Sequence, residues 1–160
     1  MKPWPLFSAI TIIGLVVDQI TKIYIDRSMR LFESIPVVEN FFNLTYVRNK
    51  GAAFSFLANA SWRLPFFICV SVIAALVILV AFRKLRDDQR LAQLSLAMIF
   101  SGAVGNLIDR LRLGEVIDFL DAHWYGYHWP AFNVADSLIC VGVFLLAIDM
   151  LREDKRLRRG

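Results

Sequence analysis

The sequence predicts a mostly α-helical, polytopic membrane protein with four transmembrane helices. Three observations predict it: the composition, four long apolar runs, and the placement of the basic residues. Of 160 residues, 58% are apolar, and the mean hydropathy is +0.55, whereas ordinary globular chains have roughly 45–50% apolar residues. A water-soluble chain of this size has too little interior to bury so much apolar surface. A lipid bilayer is the solvent that fits this composition.

Four apolar runs approach the ~20 residues that a helix needs to cross the hydrocarbon core. They cover about residues 6–25, 64–82, 91–111 and 131–151. The first run is not expected to be a cleaved signal peptide, because Asp18 interrupts it and no small-residue cleavage motif follows. Without internal repeats or low-complexity segments, residues 1–160 are expected to form a single membrane-embedded domain.

The basic residues lie beside the apolar runs, at Lys2, between Arg83 and Arg90, and in the tail 152–159. Lys and Arg next to spans mark the cytoplasmic side. Both termini and the second-to-third connection are therefore predicted to be cytoplasmic. The connections at about 26–63 and 112–130 are predicted to lie on the outer side. This distribution does not favour nucleic acid as a partner.

The two outer connections differ in what they predict. Phe41–Val47 is rich in aromatic and β-branched residues and precedes a turn at Asn49–Gly51, which predicts a strand of a small sheet on the membrane surface. Ala52–Leu57 fits either another strand or an interfacial helix. The shorter connection has four Trp or Tyr residues between Trp124 and Trp129, which suit the headgroup region.

Ionisable residues inside or beside the apolar runs are costly, so they usually face a protein interior or a watered cavity. Asp18 and Lys22 are four residues apart on one helix face and are predicted to form a structural pair. Asp109 and Arg110 are adjacent on a helix and are expected to contact different elements. Arg110 either reaches the interface or turns inward as a donor to a substrate backbone.

Asp118 and Asp136 are predicted to reach the same membrane level if the third and fourth helices form a hairpin. Two close carboxylates share a proton, and such a pair activates water while polarising a peptide carbonyl. A helix cap at Asp118 and an interhelical hydrogen bond at Asp136 are equally consistent with the residues alone. A small transporter, a proton-conducting subunit and a non-catalytic assembly factor remain alternatives.

Other side chains suggest no competing chemistry. Cys69 and Cys140 lie in apolar runs and are predicted to be buried. His123 and His128 lack the HExxH spacing of a zinc protease, and the chain has no nucleotide-binding loop.

Five blocks make the chain resemble the lipoprotein signal peptidases (signal peptidase II), a family of bacterial intramembrane aspartyl proteases, along nearly its whole length. In order, the blocks are Asp18–Lys22, Asn49–Phe54, Gly105–Arg110, Val116–Phe119 and Phe132–Ser137. Any one of them alone would be a weak signal. Together, in the family's order on four spans, they are highly specific.

The resemblance implies four transmembrane helices with an extracytoplasmic β-cradle and an interfacial helix. It implies an endopeptidase of the cytoplasmic (inner) membrane, with its site near the outer face and no metal or cofactor. Its implied partners are lipid-modified prolipoproteins, membrane lipids and cyclic peptide inhibitors of the globomycin type. By position, it implies catalytic roles for Asp118 and Asp136, site-lining roles for Asn49, Asn106, Arg110 and Asn133, and structural roles for Asp18, Lys22 and Asp109.

Overall fold

The computed structural model describes residues 4–51 and 60–157, and four long helices dominate this part of the chain. All four are long and apolar enough to cross a membrane, with mean hydropathies of 1.6 to 2.9 in their most apolar windows. The four predicted spans are confirmed, although α4 begins about three residues later than predicted. The helices are α1 (Trp4–Ser28), α2 (Arg63–Lys84), α3 (Arg90–Leu113) and α4 (Val134–Leu157).

Helix α3 is the central helix and contacts the other three. Half of its most apolar window is buried, against 11% for the corresponding windows of α2 and α4. Small residues permit this contact. A Cβ on Gly102 would overlap the backbone carbonyl of Ala135 in α4, and a Cβ on Gly105 would lie 2.6 Å from Oδ2 of Asp18 in α1. Glycine therefore lets α1 and α4 approach α3 closely.

Aromatic side chains hold the helices together at the end of the bundle where α1 begins. This end lies away from the β-sheet described next and is called the opposite end. The ring centre of Phe82 lies 4.4 Å from that of Phe7 and 4.8 Å from that of Trp4. Phe100 of α3 adds a contact to Phe7 at 5.3 Å. Such contacts hold helices by packing, since helices in lipid have no hydrophobic drive to associate.

A four-stranded antiparallel sheet lies at the other end of the bundle, called here the sheet end. Its strands follow chain order: β1 (Ser34–Val38), β2 (Phe42–Asn49), β3 (Val116–Trp124) and β4 (Tyr127–His128). The strand predicted at Phe41–Val47 is confirmed as β2. No strand was predicted at β3, because its two aspartates are poor strand formers. The predicted strand or interfacial helix at Ala52–Leu57 lies outside the described residues.

The sheet is tied to the end of α1 by packing and by charge. The hydroxyl of Tyr46 donates to Asp26, and Nη2 of Arg48 donates to the same carboxylate at 2.8 Å. The apolar contact between sheet and helix is formed by Ile25, Met29, Tyr46, Ile117 and Phe119. These contacts fix β2 and β3 above the helices.

The prediction that both cysteines are buried is wrong. Cys69 of α2 and Cys140 of α4 are exposed on the protein. Apolar runs indicate burial only for proteins in water. In a span the lipid-facing side is as apolar as the interior, so hydrophobicity does not distinguish the two sides.

Candidate active site

The start of α4 is a capping box that contains one of the predicted catalytic residues. The Oδ1 of Asn133 accepts the backbone N–H of Asp136 at 2.9 Å, and the Oδ2 of Asp136 accepts the backbone N–H of Asn133 at 3.2 Å. The N–H of Ala135 donates to Oδ1 of Asp18 in α1 at 2.9 Å. Three backbone groups at the first turn of α4 are thereby satisfied, and the position of Asp136 is fixed by backbone geometry.

Asp118 reaches the same place from the middle of β3, where it is 3% exposed. Its Oδ1 accepts Nδ2 of Asn133 at 2.7 Å, and its Oδ2 accepts Nδ2 of Asn49 at 3.0 Å. Asn133 therefore contacts both carboxyl groups, and the two aspartates lie in one site. The alternative of a helix cap at Asp118 is wrong, because Asn133 is the cap. The interhelical hydrogen bond suggested for Asp136 is present, from Asn106 of α3 at 2.8 Å.

The burial of Asp118 changes the acidity of its carboxyl group. Burial raises the pKa of Asp118 to about 7, and the nearby charge of Asp136 acts in the same direction. The amide donors Asn49 and Asn133 offset part of this increase. A carboxyl group with this pKa can hold a proton near neutral pH.

A buried cluster of charged side chains lies between α1 and α3, next to the site. Lys22 forms ion pairs with Asp18 at 3.0 Å and Asp109 at 3.1 Å, and all three side chains are about 1% exposed. The predicted Asp18–Lys22 pair is confirmed, and Asp109 completes it. Lys22 also donates to Oδ1 of Asn106 at 2.9 Å, so the cluster is connected to Asp136 through one amide.

Arg110 turns inward, while its neighbour Asp109 faces α1. The guanidinium lies 5.1 Å from the ring centre of Phe67 in α2, and its Nη2 is 3.5 Å from the carbonyl oxygen of Gly51. This confirms that the two neighbours contact different elements. Of the two positions suggested for Arg110, the inward one is observed.

A cavity of about 600 Å³ opens onto the two aspartates. Its polar wall includes Asn49, Asn106, Arg110, Asp118, Asp136 and Ser137. Its apolar wall consists of residues 129–132, which precede α4, and residues 139–141 on α4. Asn133 is absent from the lining and fully buried, so it supports the site from behind.

Two residues of the site were missed in the sequence. Gly51 donates its N–H to Oδ1 of Asn49 at 2.9 Å, and Gln19 donates to Oδ2 of Asp18 at 3.1 Å and to Oδ1 of Asp109 at 3.2 Å. Both lie inside the recognised blocks. The turn-forming Asn–Lys–Gly order was the available signal for Gly51, whereas nothing in the chain indicates which residues Gln19 contacts.

The family model for signal peptidase (SPase) II matches residues 10–152. The chain belongs to the signal peptidase II family. Its relatives include the lipoprotein signal peptidase of Geobacter sulfurreducens, 67% identical over 157 residues, which cover 98% of each chain. That of Geobacter metallireducens is 64% identical over 98% of this chain and 97% of the relative.

Two solved structures of bacterial membrane enzymes have the same fold. One, described as "Bacterial membrane enzyme structure by the in meso method at 2.3 A resolution", has a TM-score of 0.84 and 34% identity, covering 95% of this chain and 91% of that chain. A second, at 1.9 Å, has a TM-score of 0.83 and 33% identity over 92% and 93%. The chain is thus a multi-pass bacterial membrane peptidase that removes signal peptides from lipoproteins, and the transporter and assembly-factor alternatives are set aside.

Proposed function

We propose that this signal peptidase II uses Asp118 and Asp136 as a catalytic dyad. It cleaves diacylglyceryl-modified prolipoproteins on the amino side of the lipidated cysteine. The observation that carries the proposal is that one buried residue, Asn133, contacts both carboxyl groups at the wall of a largely apolar cavity. Its side-chain amide donates to Asp118, and its backbone N–H donates to Asp136. Two carboxyl groups held together in this way match the arrangement that activates water in aspartic proteases.

The dyad divides the chemistry between its members. Asp136 is assigned the role of base, because it lies in the first turn of α4, where the helix N-terminus favours negative charge. It takes a proton from a water molecule as the water oxygen attacks the scissile carbonyl carbon. Asp118, protonated near neutral pH because burial raises its pKa to about 7, donates a hydrogen bond to the carbonyl oxygen of the tetrahedral intermediate. The proton gained by Asp136 then passes to the leaving amine as the C–N bond breaks.

The two walls of the cavity bind different parts of the substrate. The apolar wall at residues 129–132 and 139–141 receives the signal helix and the first carbons of the acyl chains. Arg110 donates to a substrate backbone carbonyl beside the dyad. Cyclic peptide inhibitors of the globomycin type occupy this cavity by the same contacts. Asn49 and Asn106 hold the carboxyl groups in place.

The charge distribution supports an orientation for the bundle. Arg83 and Lys84 end α2, Arg86 lies in the connection that follows, and Arg90 begins α3, all at the opposite end. By the positive-inside rule this end is cytoplasmic. The sheet end then faces outward, and the dyad lies near the outer surface of the cytoplasmic membrane. Residues 1–160 act as one membrane-embedded domain.

Cleavage of a purified prolipoprotein in detergent micelles tests this function. The substrate is supplied with and without its diacylglyceryl group, and intact mass identifies the bond that is cut. Asp118→Asn and Asp136→Asn are each expected to lower the rate by a factor of about 10³ or more, within the range of general acid–base catalysis.

The matched control is Asp121→Asn, since Asp121 is also a buried β3 aspartate but contacts Asn43 and His128 outside the cavity. It is expected to retain activity. Wild-type rates from both dyad variants would refute the mechanism. Equal cleavage of the unmodified substrate would refute the role of the lipid.

A further inference from the structure

The orientation of an asparagine amide decides whether an N–H or an oxygen faces a neighbouring carboxylate. Two of the three asparagines at the dyad are oriented by backbone groups. The Oδ1 of Asn49 accepts the N–H of Gly51, and the Oδ1 of Asn133 accepts the N–H of Asp136, both at 2.9 Å. Each amide must therefore turn its N–H toward Asp118.

The third asparagine is oriented by a side chain. The Oδ1 of Asn106 accepts from Nζ of Lys22 at 2.9 Å, and its Nδ2 donates to Oδ1 of Asp136 at 2.8 Å. Because Lys22 only donates, it binds the amide oxygen and not the NH₂ group. Two carboxylates, Asp18 and Asp109, hold the ammonium in place at 3.0 and 3.1 Å.

We propose that Lys22 is a positioning residue of the peptidase reaction: its ammonium group fixes the amide of Asn106 so that an N–H faces Asp136. The inference rests on the proposed function, because it acts on the Asp118–Asp136 dyad. It gives the charged cluster a role beyond holding helices together. Lys22 is 1% exposed and is not part of the cavity wall, so it acts through Asn106 and not on the substrate.

Removal of the ammonium leaves the Oδ1 of Asn106 with only the longer contact from Nδ2 of Asn133, at 3.3 Å, so the Asn106 amide can rotate by half a turn. Its oxygen then faces the oxygen of Asp136, and the ionised dyad loses a donor. Substrate contacts stay as they are, so kcat falls while KM is unchanged. The acidic limb of the kcat profile moves to higher pH, because the singly ionised dyad is harder to form. The charged and titratable groups around this amide are Asp18, Lys22, Asp109, Arg110, Asp118 and Asp136.

The test is a double-mutant cycle of Lys22→Met and Asn106→Ala in the prolipoprotein assay, with kcat, KM and pH profiles measured. Lys22→Met is expected to lower kcat by about 10- to 100-fold, as small misplacements of catalytic groups do, and to change KM by less than about twofold. In the Asn106→Ala background, the same change is expected to have no further effect. A long-range effect of the charge would persist in that background and would overturn the proposal, as would a rise in KM without loss of kcat.

A second variant addresses the two carboxylates that Lys22→Met leaves unpaired. Lys22→Met combined with Asp109→Asn leaves the net charge of the cluster unchanged, and it is expected to show the same loss of kcat and the same shift of the acidic limb. Wild-type kcat in this variant would overturn the proposal. So would failure of both Lys22 variants to fold while Asn106→Ala folds, since Lys22 would then be only structural.

The dyad variants in the same assay separate this inference from the proposed function. Full activity of Asp118→Asn and Asp136→Asn would refute the proposed function itself. Inactive dyad variants beside Lys22 variants with wild-type kcat would refute the inference alone.

Discussion

The two ends of the helix bundle are held together by different forces. At the opposite end, rings from three helices pack around Phe7 and Phe82, without charged groups in the cluster. At the sheet end, α1, α3 and α4 meet around Lys22 and Asp18, both almost fully buried. Helices α1 and α3 take part at both ends, so for these two helices the difference comes from their side chains.

Because of this difference, we expect substitutions at the opposite end to change stability and substitutions at the sheet end to change catalysis. Aromatic packing is non-directional, so substitutions at the opposite end are expected to change packing energy and little else. The sheet end depends on hydrogen bonds with fixed donors and acceptors, and in a low-dielectric interior each unmade bond is costly. Sub-ångström shifts there are expected to alter catalysis before they unfold the protein.

Outside the dyad, the largest effect is expected from glycines along the contact between α3 and α4. In Gly102→Ala, the new Cβ collides with the carbonyl of Ala135, beside Asp136. It is expected to move the dyad and to lower the cleavage rate by about 100-fold. In Gly142→Ala, the Cβ lies 2.7 Å from Ile99 and 2.9 Å from the carbonyl of Ser95, further from the site. This variant is expected to lower the melting temperature while retaining most of the rate.

Gly126→Ala is the control for both, because nothing lies within 4 Å of the added Cβ. Cleavage rates and melting temperatures of the three variants in detergent give the comparison. Equal loss of rate in the Gly102 and Gly142 variants would show that the two ends are not separate in function.

A smaller effect, on stability alone, is expected from Phe82→Ala at the opposite end. Phe82 is 2% exposed and contacts Trp4 and Phe7. In soluble proteins such a substitution lowers the free energy of unfolding by about 3–5 kcal/mol. About 2 kcal/mol is expected here, because only packing is lost when both states are in an apolar solvent. Unfolding in mixed micelles measures the loss in free energy of unfolding. A large fall in kcat of the folded Phe82→Ala enzyme would contradict the expectation that only stability changes.

A further effect is a pH dependence of the free energy of unfolding that belongs to Asp118. Its pKa is about 7 in the folded chain against an ordinary value of 3.8. As pH rises between these values, the unfolded chain ionises at this residue before the folded chain does. The folded state therefore loses stability between pH 3.8 and about 7 and is unaffected above that. The difference in melting temperature between the wild type and Asp118→Asn, measured from pH 4 to 8, isolates this contribution. A constant difference would contradict the raised pKa.

The spans were predictable because a run of about 20 apolar residues has few alternatives to a membrane helix. The late start of α4 was less predictable. Residues 131–133 are mostly apolar, yet Asn133 caps the helix and the preceding Phe132 pairs with β3 through Leu120. Strand β3 was not recognised, because the pattern for a strand does not anticipate aspartates that face a buried site.

Within the site, the Asp18–Lys22 pair followed from helix periodicity, because the two residues are one turn apart. The contact of the third member, Asp109, with Lys22 depends on how α3 packs against α1. The spacing of residues along the chain does not reveal this packing. The shared contact of Asn133 with both aspartates likewise requires β3 and α4 to be placed in space. Only the resemblance to signal peptidase II indicated these residues together.

The sheet end performs the chemistry, whereas the opposite end contributes to stability. The most direct test measures single-turnover cleavage of a diacylglyceryl-modified prolipoprotein beside the melting temperature, for Asp118→Asn, Asp136→Asn and Phe82→Ala. The two dyad variants are expected to lose the rate, by about 10³-fold or more, and to keep a folded structure. Phe82→Ala is expected to keep the rate and to melt at a lower temperature. Cleavage at the wild-type rate by a folded Asp118→Asn or Asp136→Asn enzyme would contradict the account.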